Sequence, residues 1–170
     1  TNFITDRLLS ALPLSGQFSL TAVYSRSLAR AEEYGKAHGA SYFYNSLEEL
    51  AKSSQVDAVY VASPNSFHAA QSIMLLTGKK HVLCEKPLSG SAKDVEDIIR
   101  CCDEAGVVFM EAFAYLHSPI IQEIKKTVQS GAIGKVTMAE AAFFIVPPKP
   151  EDIRWKKETL GGGVYDVKWN

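Results

Sequence analysis

The run Ala58-Val59-Tyr60-Val61-Ala62-Ser63-Pro64-Asn65-Ser66-Phe67-His68, echoed downstream by His81-Val82-Leu83-Cys84-Glu85-Lys86-Pro87-Leu88, decides the fold. Each opens on a short, nearly unbroken apolar stretch. Parallel strands covered on both faces need that continuous hydrophobicity, whereas a half-exposed strand alternates. Between the two, Ser66 predicts a helix start with His68 in its first turn. The pair reads strand, helix, strand.

Further out, Leu20–Tyr24 and Val107–Met110 are runs of the same kind, with helical patterns between. Ser27 opens a helix that ends at Gly39, with Glu32 and Lys36 a turn apart in the favourable order. Ser46-Leu47-Glu48-Glu49 has capping-box spacing and starts a short helix. Ser91 starts another, where Val95, Ile98, Ile99 and Cys102 make one apolar stripe that packs it on a sheet. Strands and helices alternating through short connections predict an α/β fold, a Rossmann-type doubly wound parallel sheet with right-handed crossovers.

The two ends break this rhythm. Phe3, Ile4, Leu8, Leu9 and Leu12 are spaced as a helix, and no GxGxxG turn is present. They read as the second half of a strand-turn-helix unit, so the first Rossmann strand is expected to be missing. Thr1, Asn2 and Phe3 are then either the tail of a phosphate loop or a frayed end. Beyond Glu111, Ser118-Pro119 supply the N-cap and first residue of a helix striped by Ile120, Ile121, Ile124 and Val128 and closed by Gly131. Lys135–Val146 reads as one long strand before Pro147-Pro148-Lys149-Pro150, the first strand of a second α/β domain. The expected organisation is a nucleotide-binding domain over 1–112 and the beginning of a substrate and oligomerisation domain over 113–170. With no initiator Met, and an end just after a glycine run, the chain is expected to be a fragment.

The totals narrow the function. The 170 residues hold about one ordinary domain plus part of another. Eighteen basic against nineteen acidic residues leave a net charge of −1, which provides no field for a nucleic acid. No signal peptide or membrane-length apolar run is visible, and Cys84, Cys101 and Cys102 form no CxxC pair, so a cytoplasmic protein with packing cysteines is expected. His38, His81 and His117 lack ligand spacing, and no metal is expected.

Open α/β sheets bind ligands beyond the carboxyl ends of their strands. At the end of the second Rossmann strand an NAD-binding pattern carries an acid for the adenosine ribose, but here Ser25-Arg26-Ser27 stand there, with Arg30 one turn on. Hydroxyl and guanidinium suit a 2′-phosphate and favour NADP over NAD; the other reading is that Ser25 and Ser27 cap the helix while Arg26 is solvated. At the ends of the next two strands lie 62–68 and 84–88. Taken by itself, Lys86 before Pro87 is either a surface lysine or, given its strand-end position, a proton-transfer group.

With these segments, and with Tyr24-Ser25-Arg26, Gly78-Lys79-Lys80-His81-Val82, Met110-Glu111-Ala112-Phe113, Arg154-Trp155 and Gly161-Gly162-Gly163-Val164-Tyr165-Asp166, nearly the whole chain resembles the glucose-fructose oxidoreductase, inositol dehydrogenase and MocA-like family. Its dihydrodiol dehydrogenase and sugar dehydrogenase branch is the most similar. The resemblance implies hydride transfer between a nicotinamide cofactor and a sugar, polyol or cyclic diol, in a full-length protein that is a homo-oligomer. It implies Lys86 of Glu85-Lys86-Pro87 as the catalytic lysine, Glu85 near the nicotinamide ribose, and Ser63-Pro64-Asn65 with His68 at the nicotinamide half. By their position after the last strand, Glu111 and Tyr115 are expected to line the cleft, with Tyr115 equally readable as a packing residue. Asp166 matches the family's helical aspartate, but Asn170 stands where His or Tyr is usual, and Asn cannot exchange a proton near neutral pH. Asp166 is thus conditional, and a truncated, non-catalytic nucleotide-binding relative is the rival reading.

Overall fold

The computed structural model describes residues 3–142, 144, 146 and 148–162. Helix α1 (Phe3–Ser15) leads into a first strand-helix-strand unit: β1 (Ala22–Tyr24), α2 (Leu28–Ala37) and β2 (Tyr42–Tyr44). After α3 (Leu47–Lys52) come β3 (Ala58–Val61), α4 (His68–Thr77), β4 (His81–Cys84), α5 (Ala92–Ala105) and β5 (Phe109–Glu111), and then α6 (Pro119–Gln129). Every strand pairing is parallel. β1 pairs with β2 from Ala22↔Tyr42 to Tyr24↔Tyr44, and a second sheet runs β3-β4-β5.

Apolar run and buried core coincide. Val61 of β3 and Val82 and Cys84 of β4 are buried with Leu75 and Leu76 of α4 and Ile98 of α5. Fully burying one such aliphatic side chain is worth about 1.5–3 kcal/mol, so these positions carry the central sheet. On α5, Val95 and Cys102 join Ile98 against the core while Ile99 stays 56% exposed, at the stripe's outer margin. Helices α3 and α4 meet closely at Gly78, where a Cβ would stand 2.6 Å from the Ala51 carbonyl oxygen.

The helices that start at Ser27 and Ser46 carry the side-chain caps expected of them, with one change at the second. Ser27 Oγ accepts from Arg30 N, and Ser46 Oγ accepts from Glu49 N at 3.2 Å. The carboxylate that returns to Ser46 is Glu48, which takes the Ser46 hydroxyl proton at 3.0 Å. That bond and the Glu48 amide hold the carboxyl below its usual range, the amide contributing more.

Three expectations fail. Strand β2 has no counterpart among the predicted runs, because Tyr42-Phe43-Tyr44 is aromatic rather than aliphatic. Its two hydroxyls are satisfied locally, Tyr42 donating to Gln55 Oε1 and Tyr44 to Ser53 Oγ. Ser66 is not an N-cap, since a one-turn 3₁₀ helix, Asn65–Phe67, leads into α4 and Phe67 holds the cap position without a side-chain bond. Lys135–Val146 is not a strand over its described residues, 135–142, 144 and 146. A strand exists through its ladder, and no described residue pairs with this segment.

Candidate active site

The ladders of the larger sheet continue one residue beyond the strands. Glu85 N donates to Val61 O at 2.9 Å and Ala112 N to Cys84 O at 2.7 Å. The ends of β3, β4 and β5 therefore lie along one edge, bringing Ser63, Lys86 and Glu111 into neighbouring turns. Ser63, Pro64, Asn65, His68, Glu85 and Lys86, expected to act together, are together there.

The turn that carries Lys86 is held on both flanks. Upstream, the Tyr60 hydroxyl donates to Glu85 Oε1 at 2.5 Å, and Lys86 N donates to Glu85 Oε2 at 3.3 Å. Downstream, Leu88 N donates to Glu111 Oε1 at 2.7 Å, while the His68 ring stands 2.8 Å from Pro87 O through Nδ1. His68 Nε2 is also 2.8 Å from Ser63 O, and the residue is 1% exposed. The Lys86–Pro87 peptide is cis, and Lys86 itself is half-buried. His68 thus braces the two loops from within, its ring turned into the protein.

Burial tunes the flanking groups. It raises the Tyr60 phenol well above its usual value, helped by the Glu85 carboxylate it bonds, so Tyr60 remains a donor. Burial also raises Glu111, outweighing the Leu88 amide and the His68 charge that favour its carboxylate. The Cys84 thiol, under the same edge, is pushed up to about 12 chiefly by burial.

Two features suit a dinucleotide. Ser63 Oγ is buried and makes no hydrogen bond among the described residues, at a strand end where a ligand could take it. At the end of β1, Ser25 N extends that ladder to Tyr44 O, Ser25 Oγ accepts from Ser27 N at 3.4 Å, and Arg26 and Arg30 stand exposed. Neither guanidinium forms an ion pair among the described residues, so both can meet an anion. The serine capping foreseen for this turn and an open guanidinium pair therefore coexist.

A third wall comes from the far end of the chain. Asn65 Nδ2 donates to Leu160 O at 3.0 Å, tying the Ser63 loop to the glycine run. Gly161 packs there so closely that a Cβ would sit 2.5 Å from Arg154 O, while Arg154 Nη1 reaches both Asp152 oxygens at 3.0 and 3.1 Å. Tyr115, in the 3₁₀ helix Ala114–His117, stacks edge-on with Phe113. Asp166 and Asn170 lie outside the described residues. Sequence reasoning missed Tyr60 and Leu160. A tyrosine inside an otherwise aliphatic strand was the available signal for the first, and a backbone carbonyl offers none.

Comparison with known proteins fits this arrangement. Residues 1–113 match the Gfo/Idh/MocA oxidoreductase family, NAD-binding Rossmann fold. Scyllo-inositol 2-dehydrogenase (NADP(+)) of Bacillus subtilis is 42% identical over 143 residues, 84% of this chain and 43% of that protein. Trans-1,2-dihydrobenzene-1,2-diol dehydrogenase of Oryctolagus cuniculus is 36% identical over 167 residues, 98% of this chain and 49% of that one. A 3-ketoreductase from Actinomadura kijaniata, solved with NADP and TDP-benzene, superposes with a TM-score of 0.83 at 34% identity, over 94% of this chain and 49% of its own. The chain spans about half the length of the curated relatives it matches.

Proposed function

The chain belongs to the Gfo/Idh/MocA oxidoreductase family, and from that premise we propose that it carries the cofactor side of an NADP-dependent dehydrogenase acting on a sugar, polyol or cyclic diol. Its single strongest support is Lys86, an ammonium-bearing residue on a braced turn at the carboxyl edge of the sheet. When bound, the nicotinamide supplies the hydride acceptor. Lys86 Nζ hydrogen-bonds the substrate hydroxyl and, as general base, takes its proton and passes it on to solvent while the hydride leaves the carbon for the nicotinamide. The bracing fixes the backbone from which Nζ reaches the substrate and so lowers the entropic cost of presenting it.

Arg26 and Arg30, with Ser25, hold the adenosine 2′-phosphate through charge-assisted bonds. Ser63, Pro64 and Asn65 line the nicotinamide half, Glu85 meets the ribose, and His68 supports that wall from behind. Asp166 assists Lys86. We divide the chain at 112/113, with residues 113–170 opening a domain that completes the substrate pocket and joins protomers in a cytoplasmic homo-oligomer. Asn170 favours a second reading, a relative that binds the nucleotide without turning it over.

The test is NADPH formation by the full-length protein across a panel of inositols, aldoses and cyclic diols, beside NADP binding. Turnover on one of these classes supports the dehydrogenase. Binding without turnover on any supports the second reading, and failure to bind NADP overturns both.

A further inference from the structure

Among the contacts that position Lys86, those of His68 are chemically the most restrictive. Its two ring nitrogens each face a carbonyl oxygen at 2.8 Å, Pro87 O and Ser63 O. A neutral imidazole has one N–H and one lone pair, so one of those contacts would set lone pair against lone pair. Two donated bonds require both nitrogens to carry hydrogen. A buried polar group is costly unless it is hydrogen-bonded, and here each ring nitrogen has a carbonyl acceptor in reach.

Titratable groups at the strand ends and the turn that the ring spans are Tyr60 on β3, Cys84 on β4, Glu85 and Lys86 in the turn, and Glu111 on β5. Glu111, the last residue of β5, accepts from Leu88 N at 2.7 Å. The carbonyl of Pro87 and the amide of Leu88 are thus gripped by side chains from two different elements. His68 then bridges this turn to Ser63 O, the loop facing it across the site.

We propose that His68 is a positioning residue: with both ring nitrogens carrying hydrogen, it donates to Pro87 O and to Ser63 O and fixes the separation of the Ser63 loop from the Lys86 turn. This rests on the dehydrogenase reading only for what Lys86 does. The clasp itself is a property of this chain, readable without turnover.

The experiment uses the full-length protein with ¹⁵N-labelled histidine. The expected NMR signature at neutral pH is a His68 ring with both nitrogens protonated and slowly exchanging. A single protonated nitrogen overturns the clasp, whether or not the protein turns over substrate. In His68→Gln, kcat is expected to fall by about tenfold to a hundredfold while NADP affinity stays within about threefold, because ångström-scale misplacement chiefly affects the reacting step. Unchanged kcat, or a loss confined to NADP affinity, also overturns the proposal. Absence of NADP-linked turnover in the unaltered protein sinks the dehydrogenase reading instead, and the ring signature still decides the clasp.

Discussion

Arg26 and Arg30 carry the proposed preference for NADP. Where an acid would accept from the adenosine ribose, two exposed guanidiniums flank the end of β1 without an ionic partner among the described residues. Arg26→Ala is expected to weaken NADP binding about tenfold or more, as loss of a charge-assisted phosphate contact does, and to leave NAD binding nearly unchanged. Cofactor titrations of both forms check this, and equal weakening of the two cofactors would remove the 2′-phosphate assignment. Cys84 gives a second prediction. Its folded thiol is held protonated up to about 12, against 9.0 ordinarily. Above 9.0 the unfolded chain has lost this proton and the folded chain has not, so this group's stabilising contribution declines as pH rises between those values. Urea unfolding of the protein and of Cys84→Ala across that interval should show a steeper alkaline decline with the thiol present.

At the scale of elements, close approach is the most exacting demand. A Cβ on Gly78 would meet the Ala51 carbonyl oxygen at 2.6 Å, and backbone cannot step aside as a flexible side chain can. Gly78→Ala is expected to destabilise the protein by about 1–3 kcal/mol through overpacking between α3 and α4. Denaturant midpoints test it, and an unshifted midpoint would mean that the helices part freely. The sequence made β1, β3, β4 and β5 legible through the short, nearly continuous apolar runs that each lies in or overlaps. It left β2 illegible, because three aromatic residues with local hydroxyl partners carry no such run. Ser27 and Ser46 announced their helices, whereas Ser66 misled: a 3₁₀ turn absorbs it and α4 starts at His68. Most residues singled out for the site do meet at the strand ends, because strand order alone brings those turns together. The brace around Lys86 was hidden, for it depends on Tyr60, Glu111 and two backbone carbonyls that only tertiary structure joins.

Over the whole molecule, apolar surface is unevenly covered. On α6, Ile120, Ile124 and Val128 are 68%, 53% and 42% exposed, and Val136, Met138, Phe144 and Val146 continue the uncovered stretch. β1 and β3 each have one ladder partner among the described residues, so each keeps an open edge. The isolated 170-residue chain is therefore expected to self-associate at micromolar concentration. Sedimentation velocity would show this, and a monomer that melts cooperatively would contradict it. The dependence of turnover on Lys86 is measured with Lys86→Met in the full-length protein, following NADPH formation and NADP affinity on the same preparations. The expected result is a rate lowered by about a hundredfold or more with NADP affinity nearly intact, as for removal of a proton-transfer group. A variant that turns over at the normal rate would make Lys86 an ordinary surface lysine, and one that loses cofactor affinity in parallel with turnover would make it a binding residue; either contradicts the role given to it here.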